Sequence, residues 1–159
     1  TADASVDHTG QAACAVMTAD CLPVLLCDRA GSVVAAAHAG WRGLAAGILE
    51  QTVIAMQVPP TEIMAYLGPA IGAEAFEVGQ DVWDAFCSQY PAAQSAFTSI
   101  GQDKYLADIY ALACLVLQGV GVSQISGGQY CTVLERERFF SYRRDGQTGR
   151  MVSVIWLEK

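Results

Sequence analysis

The run Cys21-Leu22-Pro23-Val24-Leu25-Leu26-Cys27-Asp28-Arg29-Ala30-Gly31-Ser32-Val33-Val34-Ala35-Ala36-Ala37-His38 decides how this chain folds. It holds two apolar stretches of strand length, Leu22 to Cys27 and Ser32 to Ala37, on either side of Asp28-Arg29-Ala30-Gly31. Asp at the first position and Gly at the fourth is type I turn chemistry, so the stretches are expected to fold back as a β-hairpin. With a four-residue loop, Cys27 pairs with Ser32, and counting outward sets Cys21 opposite His38. Directly opposed Cβ atoms lie about 4.5–5.5 Å apart on one face. A three-residue loop with Gly31 as a bulge shifts the register by one and sets His38 opposite Leu22. Pro23 weakens either pairing, because it has no ladder donor.

Working outward, Cys14 to Thr18 reads as a further strand. Leu44 to Gln57 has helical spacing of Leu44, Ile48, Thr52, Ala55 and Met56, and Pro59-Pro60 stop it. Ile63 to Leu67 is a short strand that runs into the loop Gly68-Pro69-Ala70-Ile71-Gly72. Gln80 to Tyr90 repeats Val82, Trp83, Phe86 and Tyr90 at helical spacing, and Tyr105 to Leu117 reads as an apolar helix ending at Gly119. Strands are expected again at Val122 to Ser126, Phe139 to Tyr142 and Met151 to Leu157. Interleaved elements of this kind predict an α+β fold, mixed β-sheets with flanking helices, in one domain over residues 1–159.

Composition narrows the function. Of 159 residues, 53% are hydrophobic and only 16% charged, which excludes a disordered acidic chain. A formal charge of -7 argues against nucleic acid or an anionic membrane as partner. Asp20, Asp28 and His38 interrupt the apolar stretches, so no membrane-spanning helix is expected. No charged segment followed by an apolar one opens the chain, and the six cysteines include no C-x-x-C pair. Most of them lie in apolar runs, as buried free thiols do, which predicts a reducing, cytoplasmic setting. The chain opens at Thr1 without methionine, in what reads as a continuous fold, so an N-terminal segment is expected to be missing.

A thiolate and an imidazole at one hairpin end can share a metal ion, since Zn–S and Zn–N bonds run near ~2.3 and ~2.1 Å. Taken singly, a cysteine is most often a small buried hydrophobe and a histidine a satisfied structural residue. Their coincidence beside Asp20 and Trp41-Arg42-Gly43 moves the balance towards function. A catalytic zinc needs three protein ligands plus an open position. His8, the other histidine, lies in the polar run Asp7-His8-Thr9-Gly10 and reads as solvent-facing.

These residues also carry a resemblance. Thr18-Ala19-Asp20-Cys21-Leu22-Pro23-Val24-Leu25-Leu26 and His38-Ala39-Gly40-Trp41-Arg42-Gly43 resemble the two signature blocks of the YfiH, or laccase-domain, polyphenol oxidase-like family. Leu67-Gly68-Pro69-Ala70-Ile71-Gly72, Phe76-Glu77-Val78, Phe139-Phe140-Ser141-Tyr142-Arg143-Arg144-Asp145 and Thr148-Gly149-Arg150 agree in order. The resemblance implies a compact α+β fold and a zinc site of two histidines and one cysteine. Cys21 and His38 match two of those ligands; the third belongs to an upstream block with no counterpart in this sequence. The chain thus resembles the C-terminal two-thirds of a family member.

Three activities follow from the resemblance. The first is zinc-dependent purine nucleoside phosphorolysis, with adenosine deaminase and methylthioadenosine phosphorylase activity, acting on purine nucleosides and phosphate. The second is copper-dependent polyphenol oxidation, for which two histidines are too few to build a multicopper centre. The third is Cys–His thiol hydrolysis, in which His38 would lower the pKa of Cys21. For the first, Cys21, His38 and Arg42 are the candidate catalytic residues, and Arg42 and Arg143 the candidate binders of phosphate or ribose. Arg144 and Arg150 are further candidates for phosphate or ribose, but read in the first place as surface charges or carboxylate partners. Asp20 is a candidate proton carrier, although beside Cys21 on a strand it would point to the opposite face. Gly68 to Gly72 reads as a turn able to shape a pocket floor, and Cys131 as a core thiol.

Overall fold

The computed structural model describes residues 3–158. The chain is α+β, and its largest sheet has five strands in the order β1 (Ala4–Asp7), β4 (Val34–Ala39), β3 (Leu22–Asp28), β5 (Ile63–Leu67) and β9 (Gln124–Gly127). Only β5 and β9 run parallel, so the sheet is mixed. A two-stranded antiparallel ribbon, β2 (Cys14–Thr18) with β10 (Met151–Ile155), packs on one face of it. β6 (Glu77–Gly79), β8 (Lys104–Ala107) and β7 (Phe97–Gly101) form a separate small antiparallel sheet, whose Val78 and Ala107 reach into the main core.

Side-chain alternation assigns the two faces of the large sheet. Leu22, Val24, Leu26, Ala35, Ala37 and Ala39 are buried in the main core. In that core they join Leu49 and Val53 of α2 (Ile48–Ala55) and Leu112 and Val116 of α4 (Ile109–Gly119). Val34 and Ala36 point the other way and pack with Cys14 and Val16 of the ribbon. His38 has the parity of Val34 and Ala36, so it belongs to the ribbon side.

The hairpin forms, with a longer loop than either sequence reading allowed. Cys27 pairs with Val34 and Pro23 with His38. The Gly31 N–H does donate to the Asp28 carbonyl (3.2 Å), closing the expected four-residue turn. Ser32 and Val33 then extend the loop, because the Asp28 carboxylate holds them: it accepts from Ser32 N–H (2.7 Å), Ser32 Oγ (2.6 Å) and Val33 N–H (3.0 Å). The register is therefore two residues from the expected Cys21–His38 pairing. A slip of one residue would invert every side chain, whereas a slip of two preserves the face. Cys21 and His38 stay on one side, and Gly40 takes the place across from Cys21.

Other differences have local causes. The expected helix from Leu44 to Gln57 is two helices, α1 (Trp41–Ala45) and α2, because Gly47 between them adopts φ 90°, a left-handed conformation that glycine takes without strain. The segment starting at Tyr105 is strand β8 before it is helix: Tyr105 stacks on Trp83 of α3 (Gln80–Cys87), and Asp108 caps α4 by accepting from Ala111 N–H (2.9 Å). Phe139 to Tyr142 is no strand. Ser141 instead caps the short α5 (Tyr142–Asp145). All six cysteines are free thiols. Among the described residues, no helix is long and apolar enough to cross a membrane.

Candidate active site

A cavity of about 380 Å³ opens where the ends of β2, β3 and β4 meet the loops after β5 and before β10. Met17 and Thr18 come from the end of β2, Asp20 and Cys21 from the β2–β3 connection, and His38 and Trp41 from the end of β4 and the start of α1. Ile71, Phe76, Tyr142, Arg143 and Arg150 close the other side. The glycine-containing loop is thus both a turn and a piece of cavity wall, through Ile71.

Gly40 sets the spacing of the two candidate ligands. A Cβ at that position would lie 3.0 Å from Cys21 Sγ and 3.7 Å from His38 Nε2. The sulfur and the ring nitrogen therefore face the same small space, which any side chain at position 40 would fill. The other face of the imidazole is held: His38 Nδ1 stands 3.6 Å from Asp3 Oδ1, and His38 N–H donates to the Asp3 carbonyl (2.7 Å). A carboxylate beside Nδ1 leaves Nε2 as the free donor, the arrangement that orients metal-bound histidines. Burial, and next the Asp20 charge, push the Cys21 thiol up, with Arg150 opposing. That direction runs opposite to what a free thiolate nucleophile would need.

Among the described residues, no group of three His, Cys, Asp or Glu side chains could hold a metal ion. Cys21 and His38 offer a soft and a borderline donor, a pair that suits zinc or copper but does not complete either site. His8 is exposed on another part of the surface, with Nε2 3.2 Å from the Ala55 carbonyl.

The arginines divide differently from the sequence reading. Arg143 lines the cavity as expected, with one guanidinium N–H donating to the Glu77 carbonyl (3.0 Å) and its Cζ 5.8 Å from the Phe76 ring. Arg150, expected as a surface charge, lines it too. Arg42 is exposed, its Cζ 4.3 Å over the Trp41 ring, and is not among the lining residues. Arg144 pairs with Asp145 (2.7 Å) and donates to the carbonyls of Thr132, Val133 and Phe139.

Asp20 is not on a strand, as the sequence reading supposed. It sits in the bend before β3 at φ 79°, which turns its side chain inward instead of to the opposite strand face. Its carboxylate accepts from Thr132 Oγ1 and from Arg143 N–H, both at 2.6 Å. Cys131 is buried, and its sulfur accepts from Gly72 N–H (3.3 Å) behind the cavity wall. Asp3 belongs to no motif in the sequence, and the aromatic side chains Phe76 and Tyr142, though inside matching blocks, carry no assigned role there. Only the fold brings them to the site.

Comparison with known proteins gives a consistent result. The model of the multi-copper polyphenol oxidoreductase laccase family matches residues 1–158. A purine nucleoside phosphorylase of Escherichia coli is 62% identical over 156 residues, covering 98% of this chain and 64% of its own. One from Pseudomonas aeruginosa is 53% identical, over 99% of this chain and 65% of its own. A crystal structure of a Neisseria meningitidis protein superposes with TM-score 0.98 at 70% identity, covering 99% of this chain and 65% of that one. YlmD from Geobacillus stearothermophilus superposes with TM-score 0.92 at 32% identity, over 99% of this chain and 61% of that one. The chain thus spans 61–65% of the length of these relatives, less than two-thirds of each.

Proposed function

The chain belongs to the multi-copper polyphenol oxidoreductase laccase family, and from that premise we propose that its cavity serves zinc-dependent purine nucleoside phosphorolysis. The observation that carries this reading is the meeting of Cys21 Sγ and His38 Nε2 in front of Gly40, in a cavity that also holds two arginines. The names of relatives at 53% and 62% identity support the substrate class.

In phosphorolysis a phosphate oxygen attacks C1′ of the ribose as the bond to the purine nitrogen breaks. The purine departs with the bonding electrons and takes up a proton. Three demands fall on the protein. The phosphate needs fixed cations, which Arg143 and Arg150 supply from the cavity wall. The purine needs a flat apolar slot, for which Trp41, Phe76 and Tyr142 are placed. The positive charge that develops on the ribose needs a negative neighbour, and the attacking phosphate itself provides one. Arg42, stacked on Trp41, is assigned the outer approach to the cavity.

Cys21 and His38 would hold the zinc, with a further donor from outside residues 3–158. Bound zinc supplies a Lewis acid and a water of lowered pKa, the chemistry that purine deamination requires. Adenosine deamination and methylthioadenosine phosphorolysis are proposed for the same cavity. Copper-dependent phenol oxidation has less support, since His38 is the one imidazole that reaches the cavity among the described residues.

The test is incubation of the protein, as its gene encodes it, with inosine, phosphate and zinc, followed by chromatography. Phosphate-dependent release of hypoxanthine is expected, and Cys21→Ala should abolish it. No free base, with zinc bound in stoichiometric amount, would rule the reading out.

A further inference from the structure

We propose that Asp20 is a positioning residue, whose carboxylate latches the α5 turn to the Cys21 end of β3 and so holds Arg143 at the cavity. The inference rests on the reading above, that the cavity takes phosphate. Asp20 is only 8% exposed, and one residue ties three loops. Its carbonyl accepts from Ile71 N–H (2.9 Å), in the loop after β5. One carboxylate oxygen accepts from Thr132 Oγ1, whose residue is fully buried, and the other from the backbone N–H of Arg143.

The cost of this arrangement points to its importance. A non-glycine residue at φ 79° is held in a sparsely populated region, which persists only where the surroundings impose it. The strain turns the side chain of Asp20 inward, while Cys21 beside it faces Gly40. That carboxylate is one of several ties on the turn, beside the Ser141 cap and the Arg144 guanidinium, and it is the one that takes the Arg143 backbone N–H. Tyr142, Arg143 and Arg144 are exposed or half-exposed, and the turn itself is four residues long. With the Arg143 backbone fixed, its guanidinium is left in reach of the Glu77 carbonyl and the Phe76 ring, facing the cavity. Asp20 thereby acts through Arg143. Each carboxylate oxygen accepts from a protein donor, which suits a positioning role.

Two readouts on the full chain test this. The first is amide hydrogen exchange of Arg143, which does not depend on any reaction. Protection is expected in the wild type despite the exposed location, and loss of it in Asp20→Ala. The second is the split of kinetic constants: Asp20→Ala should raise KM for phosphate about tenfold with a smaller change in kcat. Asp20→Asn keeps an oxygen able to accept from Arg143 N–H, so it should rescue both. An Arg143 amide that exchanges freely in the wild type overturns the latch, and this measurement requires no variant to fold. Unchanged phosphate KM in a folded Asp20→Ala overturns it as well. So does an Asp20→Asn protein with a protected Arg143 amide and no turnover, which would make Asp20 a proton carrier. If the wild type releases no purine while the exchange pattern is as expected, phosphorolysis fails and the latch stands.

Discussion

At the scale of single residues, the site depends on what is absent from position 40. Gly40 has an ordinary φ of -61°, so alanine fits its backbone, and its methyl group would crowd the Cys21 sulfur at 3.0 Å. Gly40→Ala is therefore expected to leave the fold intact and to weaken zinc binding tenfold or more (on the order of 1–2 kcal/mol, from crowding of the sulfur). Titration with a zinc indicator checks this, and undiminished affinity would place the ion elsewhere. Because burial and Asp20 push the Cys21 thiol up, alkylation of Cys21 in metal-free protein should stay slow until pH exceeds the ordinary thiol range. Peptide-resolved iodoacetamide labelling reads this, and zinc should protect the residue. Fast labelling at neutral pH would favour the thiol hydrolase. Cys21 and His38 were legible in the sequence, since two rare side chains flank one hairpin. Asp3 was not, and the place of Phe76 and Arg150 in the cavity was not, because each reaches it from a segment distant in sequence.

At the scale of elements, the hairpin is where sequence reading was nearly right for an instructive reason. Turn chemistry located the reversal at Asp28 to Gly31, but the carboxylate of Asp28 reaches further than the turn and captures Ser32 and Val33. Side-chain capture of backbone N–H groups alters loop length without altering the strand pattern, so the register could not be read from alternation alone. Burial opposes ionisation of Asp28, yet hydrogen bonds from Ser32 and Val33 outweigh it and hold the carboxyl below its usual pKa. A carboxyl depressed on folding stabilises the native state above its unfolded pKa, near ~4, and that contribution fades as pH falls through the folded value. Asp28→Ala should lower stability at pH 7 by about 2 kcal/mol and flatten its dependence on pH below ~4. Denaturant melts at both pH values measure this; an unchanged acid limb would contradict it. The helix break at Gly47 and the start of α4 at Asp108 follow the same pattern. Helical spacing revealed that helices were present, and single residues outside the spacing set their ends.

At the scale of the whole molecule, helices, sheet and ribbon form successive layers, and the cavity lies at the layer edge where strand ends and loops converge. The α+β class was legible because apolar periodicity changes along the chain. The small sheet of β6, β7 and β8 was not, since its strands are short and all three carry exposed polar residues. The ribbon is apolar on both faces: Met17 and Val152 pair on its outer side and are 67% and 58% exposed. Replacing Val152 by threonine should reduce binding of a hydrophobic dye while changing the melting temperature little. Phe86, fully buried in the main core and away from the cavity, gives the contrasting case. Phe86→Ala should cost about 3–5 kcal/mol, leaving any remaining folded protein with its zinc affinity.

The most direct test of the account is a zinc-edge anomalous map from crystals of the protein grown with zinc. One peak within bonding distance of both Cys21 Sγ and His38 Nε2, near ~2.3 and ~2.1 Å, is the expected result. A peak bound to neither atom, or two donors each facing solvent with no ion between them, would contradict it.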